Sequence, residues 1–260
     1  MKTLRALLFV ALLLVVGLAC VIGGTATPPP PTAEQPIKVE EPTATPEPTE
    51  PPTEEPTMPP MDMPTEEPAV SQFFTEECDQ DPGSFWVIDV IGPGAEKHKD
   101  KVKTEFSDSR MRIELPEDDL YFYYSFLGYE YEDVQLDLRA DNRGANTNNV
   151  SLVCRSSKDG WYEWSVGSGG DWYLYAVTDK YNLVANGGTL FLKQGKEVNE
   201  YRMACKGKSI SMYINDKEIK GSPVTDSKYG LRDGTVAFNI SSLNVTPVIV
   251  EVDWFKVSEP

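Results

Sequence analysis

The stretch 150-VSLVCRSSKDGWYEWSV-166 reads as two strands around a turn. Val150, Leu152 and Cys154 fall on one phase, opposite Ser151, Val153 and Arg155. On the return, Tyr162, Trp164 and Val166 oppose Trp161, Glu163 and Ser165. Lys158-Asp159-Gly160 supplies the turn between them. A side-chain period of two sends one set to a core and the other outward. The Cys154 side is the predicted core, and the Arg155 side combines charge with aromatic surface. The same alternation runs through 133-DVQLDLRAD-141, where Val134, Leu136, Leu138 and Ala140 oppose Asp133, Gln135, Asp137, Arg139 and Asp141.

Similar runs recur along the chain at Phe85–Ile91, Arg110–Leu115, Leu120–Phe126, Trp172–Val177, Asn182–Leu183, Thr189–Leu192, Glu200–Cys205, Ser209–Ile214, Thr235–Ile240 and Val248–Val257. Turn residues punctuate them at Gly167–Gly170, Gly187-Gly188, Lys206-Gly207-Lys208, Asn215-Asp216-Lys217 and Asp233-Gly234. No segment sustains a 3.6-residue period. Many short strands without intervening helices imply an all-β, antiparallel two-sheet sandwich of jelly-roll type.

The chain of 260 residues does not fold throughout. Residues 25–72 hold 15 of its 21 prolines, with nine threonines and nine glutamates. So polar a stretch cannot bury enough surface to offset its ordering entropy, and it reads as a disordered linker. Proline-rich chain is extended, so a passive spacer on the order of 100 Å long follows. Residues 73–260 form the expected jelly-roll domain. Residues 1–24, MKTLRALLFVALLLVVGLACVIGG, pair two early positive charges with an apolar run too short to span a bilayer. They read as an export signal. Ala19-Cys20 resembles a bacterial lipobox, which makes Cys20 the expected lipidation site and membrane anchor; ordinary cleavage after Ala26 or an uncleaved anchor are the alternatives. The expected location is the outer face of the cell membrane, or the medium if secreted.

The formal charge is −17; the first 24 residues contribute +2 and the linker −9, which leaves the folded part at −10. Nucleic acid is not an expected partner, because phosphate binding needs a basic face. Of the four cysteines, Cys154 and Cys205 each lie on the apolar phase of a strand. In an oxidising compartment they are expected to form a disulfide, with two buried thiols as the alternative. Cys78 has no obvious mate and reads as a small core residue. No Cys/His cluster with zinc spacing occurs.

Three segments, CRSSKDGWYEWSV at 154–166, 200-EYRMACKGKSISMYINDKEI-219 and 246-TPVIVEVDWFKVSEP-260, resemble a concanavalin A-like jelly-roll family. This is the laminin-G-like, 3-keto-disaccharide hydrolase-related domain of exported bacterial lipoproteins. The resemblance spans most of residues 73–260. Cys78 departs from it, standing where relatives tend to carry an aromatic. Hydrolysis of a modified disaccharide is what the resemblance implies as an activity. It also implies a structural calcium where the first and last strands meet, with Asp253 and Glu77 as ligands; Asp253 capping backbone amides is the alternative. No other cofactor is expected.

Glycoside hydrolases of this fold carry Glu-x-Asp-x-Glu on one strand, because two carboxylates must flank the scissile bond. That triplet is absent, and the nearest acidic strand, Asp137-Leu138-Arg139-Ala140-Asp141, has an arginine between its acids. The single histidine, His98, sits in the charged run Glu96–Asp100 and reads as a surface residue, so no base is at hand for a nucleophile. Three N-x-S/T sequons, at Asn149, Asn239 and Asn244, read as chance. The tyrosine-rich run 121-YFYYSF-126 reads as core and edge packing. The expected function is non-catalytic binding of a glycan or cell-surface component, with hydrolysis or protein adhesion as alternatives. Trp161, Trp172, Arg155 and Glu163 are the expected site, in one groove with Asp137, Arg139 and Arg202; a structural salt-bridge network on a sheet, with the tryptophans packing locally, is the alternative. That grouping requires Arg155 and Asp137 to share a face.

Overall fold

The computed structural model describes residues 71–260. The export signal, Cys20 and residues 25–70 of the linker lie outside the described residues. The first strands are β1 (Phe74–Glu76) and β2 (Trp86–Ile91), followed by a single-turn helix α1 (Ala95–His98). Next come β3 (Lys103–Ser107), β4 (Arg110–Leu115), β5 (Tyr121–Tyr131), β6 (Val134–Asn142), β7 (Asn148–Ser157) and β8 (Gly160–Gly167). The chain continues through β9 (Asp171–Val177), β10 (Tyr181–Gly188), β11 (Val198–Lys206), β12 (Ser209–Ile214), β13 (Lys217–Glu218) and β14 (Val224–Thr225). It closes with β15 (Gly234–Ser242) and β16 (Val248–Ser258).

Two antiparallel sheets result. One runs β13-β12-β11-β6-β16-β4-β3, with β1 added to β16 and β14 to β12. The other runs β10-β9-β8-β7-β15-β5-β2. This is the expected two-layer sandwich. The period-two expectation holds for β6, whose Val134, Leu136, Leu138 and Ala140 are buried against the opposite layer. It holds likewise for Leu152, Cys154, Tyr162, Trp164 and Val166. Strands β1 and β3 escaped the sequence reading, being short and partly exposed. Thr189–Leu192 is a loop rather than a strand. Thr189 Oγ1 accepts from the Phe191 amide, and Asn199 bonds both the amide and the carbonyl of Lys193. Side chains thereby satisfy the backbone that a ladder would otherwise need.

A disulfide joins Cys154 of β7 to Cys205 of β11 across the core, tying one sheet to the other over a separation of 51 residues. Cys78 is a free, fully buried thiol, as expected of a small core residue. Burial, and then the nearby Glu76 and Glu77 carboxylates, push its thiol pKa well above the ordinary range.

Candidate functional site

The two sheets have unlike exteriors. On the sheet containing β6, the outward residues form an ion-pair lattice. Arg202 Nε donates to Asp137, and Gln135 bonds the other oxygen of the same carboxylate. Arg139 donates to Asp253 Oδ2 at 2.7 Å and to Glu200 Oε1 at 2.8 Å. Arg110, Arg112 and Arg143 all reach Glu251 at 3.1 Å. The pairing is across strands, so Arg139 does not hold the acids of its own strand. Asp253 sits between the guanidinium groups of Arg139 and Arg110, which oppose a second cation there. Glu77, just beyond β1, is exposed. Among the described residues no group of three or more His, Cys, Asp or Glu is placed to hold a metal ion.

The sheet containing β8 is different. Registers align Ser125, Ala237, Val153, Glu163 and Tyr175 across β5, β15, β7, β8 and β9. The next outward row is Asp89, Tyr123, Asn239, Ser151, Ser165 and Tyr173. Small side chains on β15 and β7 therefore floor the middle of this face. Tyrosines on β5 rise on one side, and Trp161, Glu163, Tyr175 and Tyr181 on the other.

Glu163 is the centre of the face. It is only 4 % exposed, a costly place for a carboxylate unless donors surround it. Tyr123 OH donates to its Oε2 at 2.8 Å, and Trp161 Nε1 donates to the same oxygen at 3.1 Å. Tyr123 spends its one proton on the carboxylate, so the 2.9 Å contact with Tyr181 makes Tyr181 the donor. The relay Tyr181–Tyr123–Glu163 polarises each hydrogen bond in turn. Burial raises the Glu163 pKa, and the bonds from Trp161, Tyr123 and Ser151 counteract this only in part. Burial likewise keeps Tyr123 and Tyr181 protonated far above neutral pH.

The Tyr123 ring packs on Val153 and Ala237, with Trp161 edge-on at 6.3 Å. It thus crosses the floor and divides it into two depressions. One, of about 160 Å³, lies among Asp89, Ile91, Ser125, Ser156 and Trp161. The other, of about 190 Å³, lies among Tyr121, Asn149, Glu163, Ser165, Tyr175 and Tyr181.

The expected groove therefore divides. Trp161 and Glu163 come together on this face. Asp137, Arg139 and Arg202 lie on the exterior of the other sheet, so Arg155 and Asp137 do not share a face. Trp172 pairs with Val166 and is buried in the core, its ring 2.7 Å from where a Cβ on Gly187 would stand. Its phase-mates Leu174 and Ala176 carried that signal. Arg155 is also absent from the face. A bulge between Cys154 and Ser157 breaks the alternation there, and Arg155 adopts φ +56°. It is 3 % exposed and donates to the Glu132 and Leu231 carbonyls and to Asp133. It ties strand ends together, and burial lowers its pKa.

The tyrosines are what the sequence reading missed. In 121-YFYYSF-126, Phe122, Tyr124 and Phe126 are core, whereas Tyr121, Tyr123 and Ser125 face out. Period two applied to that run would have separated them. His98 is half-buried at the end of α1, away from these side chains.

No protein-family model matches the sequence, and no curated protein matches it. Solved structures share its fold. A Bacillus subtilis protein of unknown function with a galectin-like fold superposes with a TM-score of 0.57 at 12% identity, covering 72% of this chain and 94% of its own. A Bacteroides ovatus mixed-linkage glucan GH16 protein, in complex with an oligosaccharide product, gives 0.55 at 10% identity, with 71% and 99% covered. A β-1,3-1,4-glucanase from a mouse hindgut metagenome gives 0.55 at 13%, with 72% and 99% covered. At these identities the likeness is one of fold.

Proposed function

We propose that the exterior of the seven-stranded sheet binds a glycan outside the cell, without cleaving it. The observation carrying this reading is the fixed Glu163 carboxylate beside two depressions with aromatic walls, one floored by Val153 and Ala237 and the other lined by serine and asparagine. Sugars present apolar ring faces to aromatic side chains and hydroxyls to planar polar groups. Such a site needs side chains held in place before the ligand arrives, and the hydrogen bonds to Glu163 Oε2 do that.

Cleavage would call for a second carboxylate within about 5–10 Å of Glu163. The other outward acids, Asp89, Asp171 and Glu130, are on β2, at the start of β9 and near the end of β5; β5 lies three strands from β8, roughly 14 Å at the usual strand spacing. β2 lies four strands from β8, roughly 19 Å at the usual strand spacing. Asp171 lies four residues along β9 from Tyr175, the residue opposite Glu163, about 13 Å at the usual rise.

Export is part of the same proposal. The Cys154–Cys205 bond suits an oxidising compartment, and Cys20 is the proposed lipid attachment site. Trp161→Ala tests the site. The variant should fold and lose glycan-array binding. Failure of every glycan to bind wild type at millimolar concentration would defeat the reading. Release of new reducing ends, lost in Glu163→Gln, would replace binding with hydrolysis. Radiolabelled fatty acid that fails to enter the protein at Cys20 would remove the anchor.

A further inference from the structure

The face that carries Glu163 is one-sided in charge. Its outward acids are Asp89, Glu130, Glu163 and Asp171, and no lysine or arginine stands among its outward strand positions in the described residues. Arg110, Arg139 and Arg202 are on the other sheet, engaged with carboxylates, and Arg155 of this sheet is buried and bonded to strand ends. A uronate or sulfated sugar would therefore find no cationic partner here.

The larger depression points to the opposite ligand charge. Tyr175 and Tyr181 stand at 89° with ring centroids 5.4 Å apart, forming two walls of a corner. Tyr173 stacks behind Tyr175 at 5.9 Å, and Tyr121 lines the far side. Burial raises the pKa of Tyr121 and Tyr175, so these rings stay neutral. Neutral aromatic faces around an anionic group attract a cation through the ring quadrupole. Glu163 lines the same depression; the bonds from Tyr123 and Trp161 both fall on Oε2, and Ser151 also reaches the carboxyl group. A buried carboxylate is tolerated when it is paired and hydrogen-bonded.

Resting on the glycan reading, we propose that the depression among Tyr121, Tyr175, Tyr181 and Glu163 takes an ammonium group, so that the ligand is an amino sugar with free amines rather than a neutral or acidic glycan. The ammonium pairs with Glu163 while the tyrosine rings flank it. The neighbouring hydroxyls of Ser165 and Ser241 and the amide of Asn149 line the same depression and suit the sugar hydroxyls.

Calorimetry on the full chain tests this with a glucosamine tetramer, its fully N-acetylated counterpart and a neutral glucose tetramer. The glucosamine tetramer should bind at least about tenfold more tightly than the other two, the scale of a charge-assisted hydrogen bond. That comparison needs no variant. Because the folded part is net negative, any polycation is drawn to it, so Glu163→Gln locates the effect: it should abolish the preference for the free-amine tetramer. Equal binding of acetylated and free-amine tetramers, or a preference surviving Glu163→Gln, overturns the proposal. If those tetramers bind and Trp161→Ala removes them, the glycan reading stands without the ammonium. If no tetramer binds but a lysine peptide does, both fall.

Discussion

Removing the Cys154–Cys205 bond should destabilise the domain by about 4 kcal/mol. The bond spans 51 residues, a segment that contains β8, β9 and β10 and most of β11. On the loop-entropy model, closing such a loop withdraws roughly 14 cal/mol/K from the unfolded chain, which is about 4 kcal/mol at 25 °C. Reduction without substitution isolates this effect, because both sulfurs stay in the core. The double variant C154A/C205A adds the loss of two fully buried sulfur atoms, on the order of another 1–2 kcal/mol. Guanidinium melts with and without reductant read the difference as a shift in midpoint. For a domain of this size it corresponds to roughly 8–16 °C in Tm. The slope m should rise on reduction, since an unclosed unfolded chain exposes more surface. Coincident curves for the oxidised and reduced protein would refute the reasoning, for they would mean that the unfolded state is restrained by something else.

Glu163→Gln should alter the pH dependence of stability. The folded carboxyl has a pKa raised above 4.5, so wild type loses stability as pH climbs from about 4.5 through the folded value. Each unit of elevation is about 1.4 kcal/mol. The variant, with no proton to lose, gains relative to wild type over that window; a constant difference from pH 4 to 8 in paired chemical melts would contradict a buried ionising group. Trp172→Ala should cost about 3–5 kcal/mol, the range for emptying a large core site. Trp161→Ala should cost far less and act on binding, so equal melting losses would undo the separation of core from face. Gly187→Ala should destabilise by forcing Trp172 aside, with thermal melting as the readout; an unchanged Tm would show that the ring yields freely.

Much of this molecule was legible before any coordinates. Alternation is a local property of extended backbone, so it correctly turned Leu136, Leu138, Cys154 and Trp164 inward and Trp161 and Glu163 outward. The same rule, applied to Tyr121–Phe126 and Trp172–Val177, would have exposed Tyr123 and buried Trp172. Arg155 escaped it because a bulge resets the phase, and nothing local in Cys154–Ser157 marks where the extra residue falls.

Sheet membership is another matter. Asp137 and Arg155 are 18 residues apart in a continuous run of strands, yet they belong to different layers. Strand β6 pairs with β11 and β16, and β7 with β8 and β15. Those pairings depend on backbone hydrogen bonds between distant segments, which a side-chain period does not encode. Composition and alternation thus determined a two-layer β domain behind a proline-rich leader. Only the tertiary pairing separated the arginine lattice from the tyrosine-walled face, and carried Tyr123, Tyr181 and Trp161 to one carboxylate.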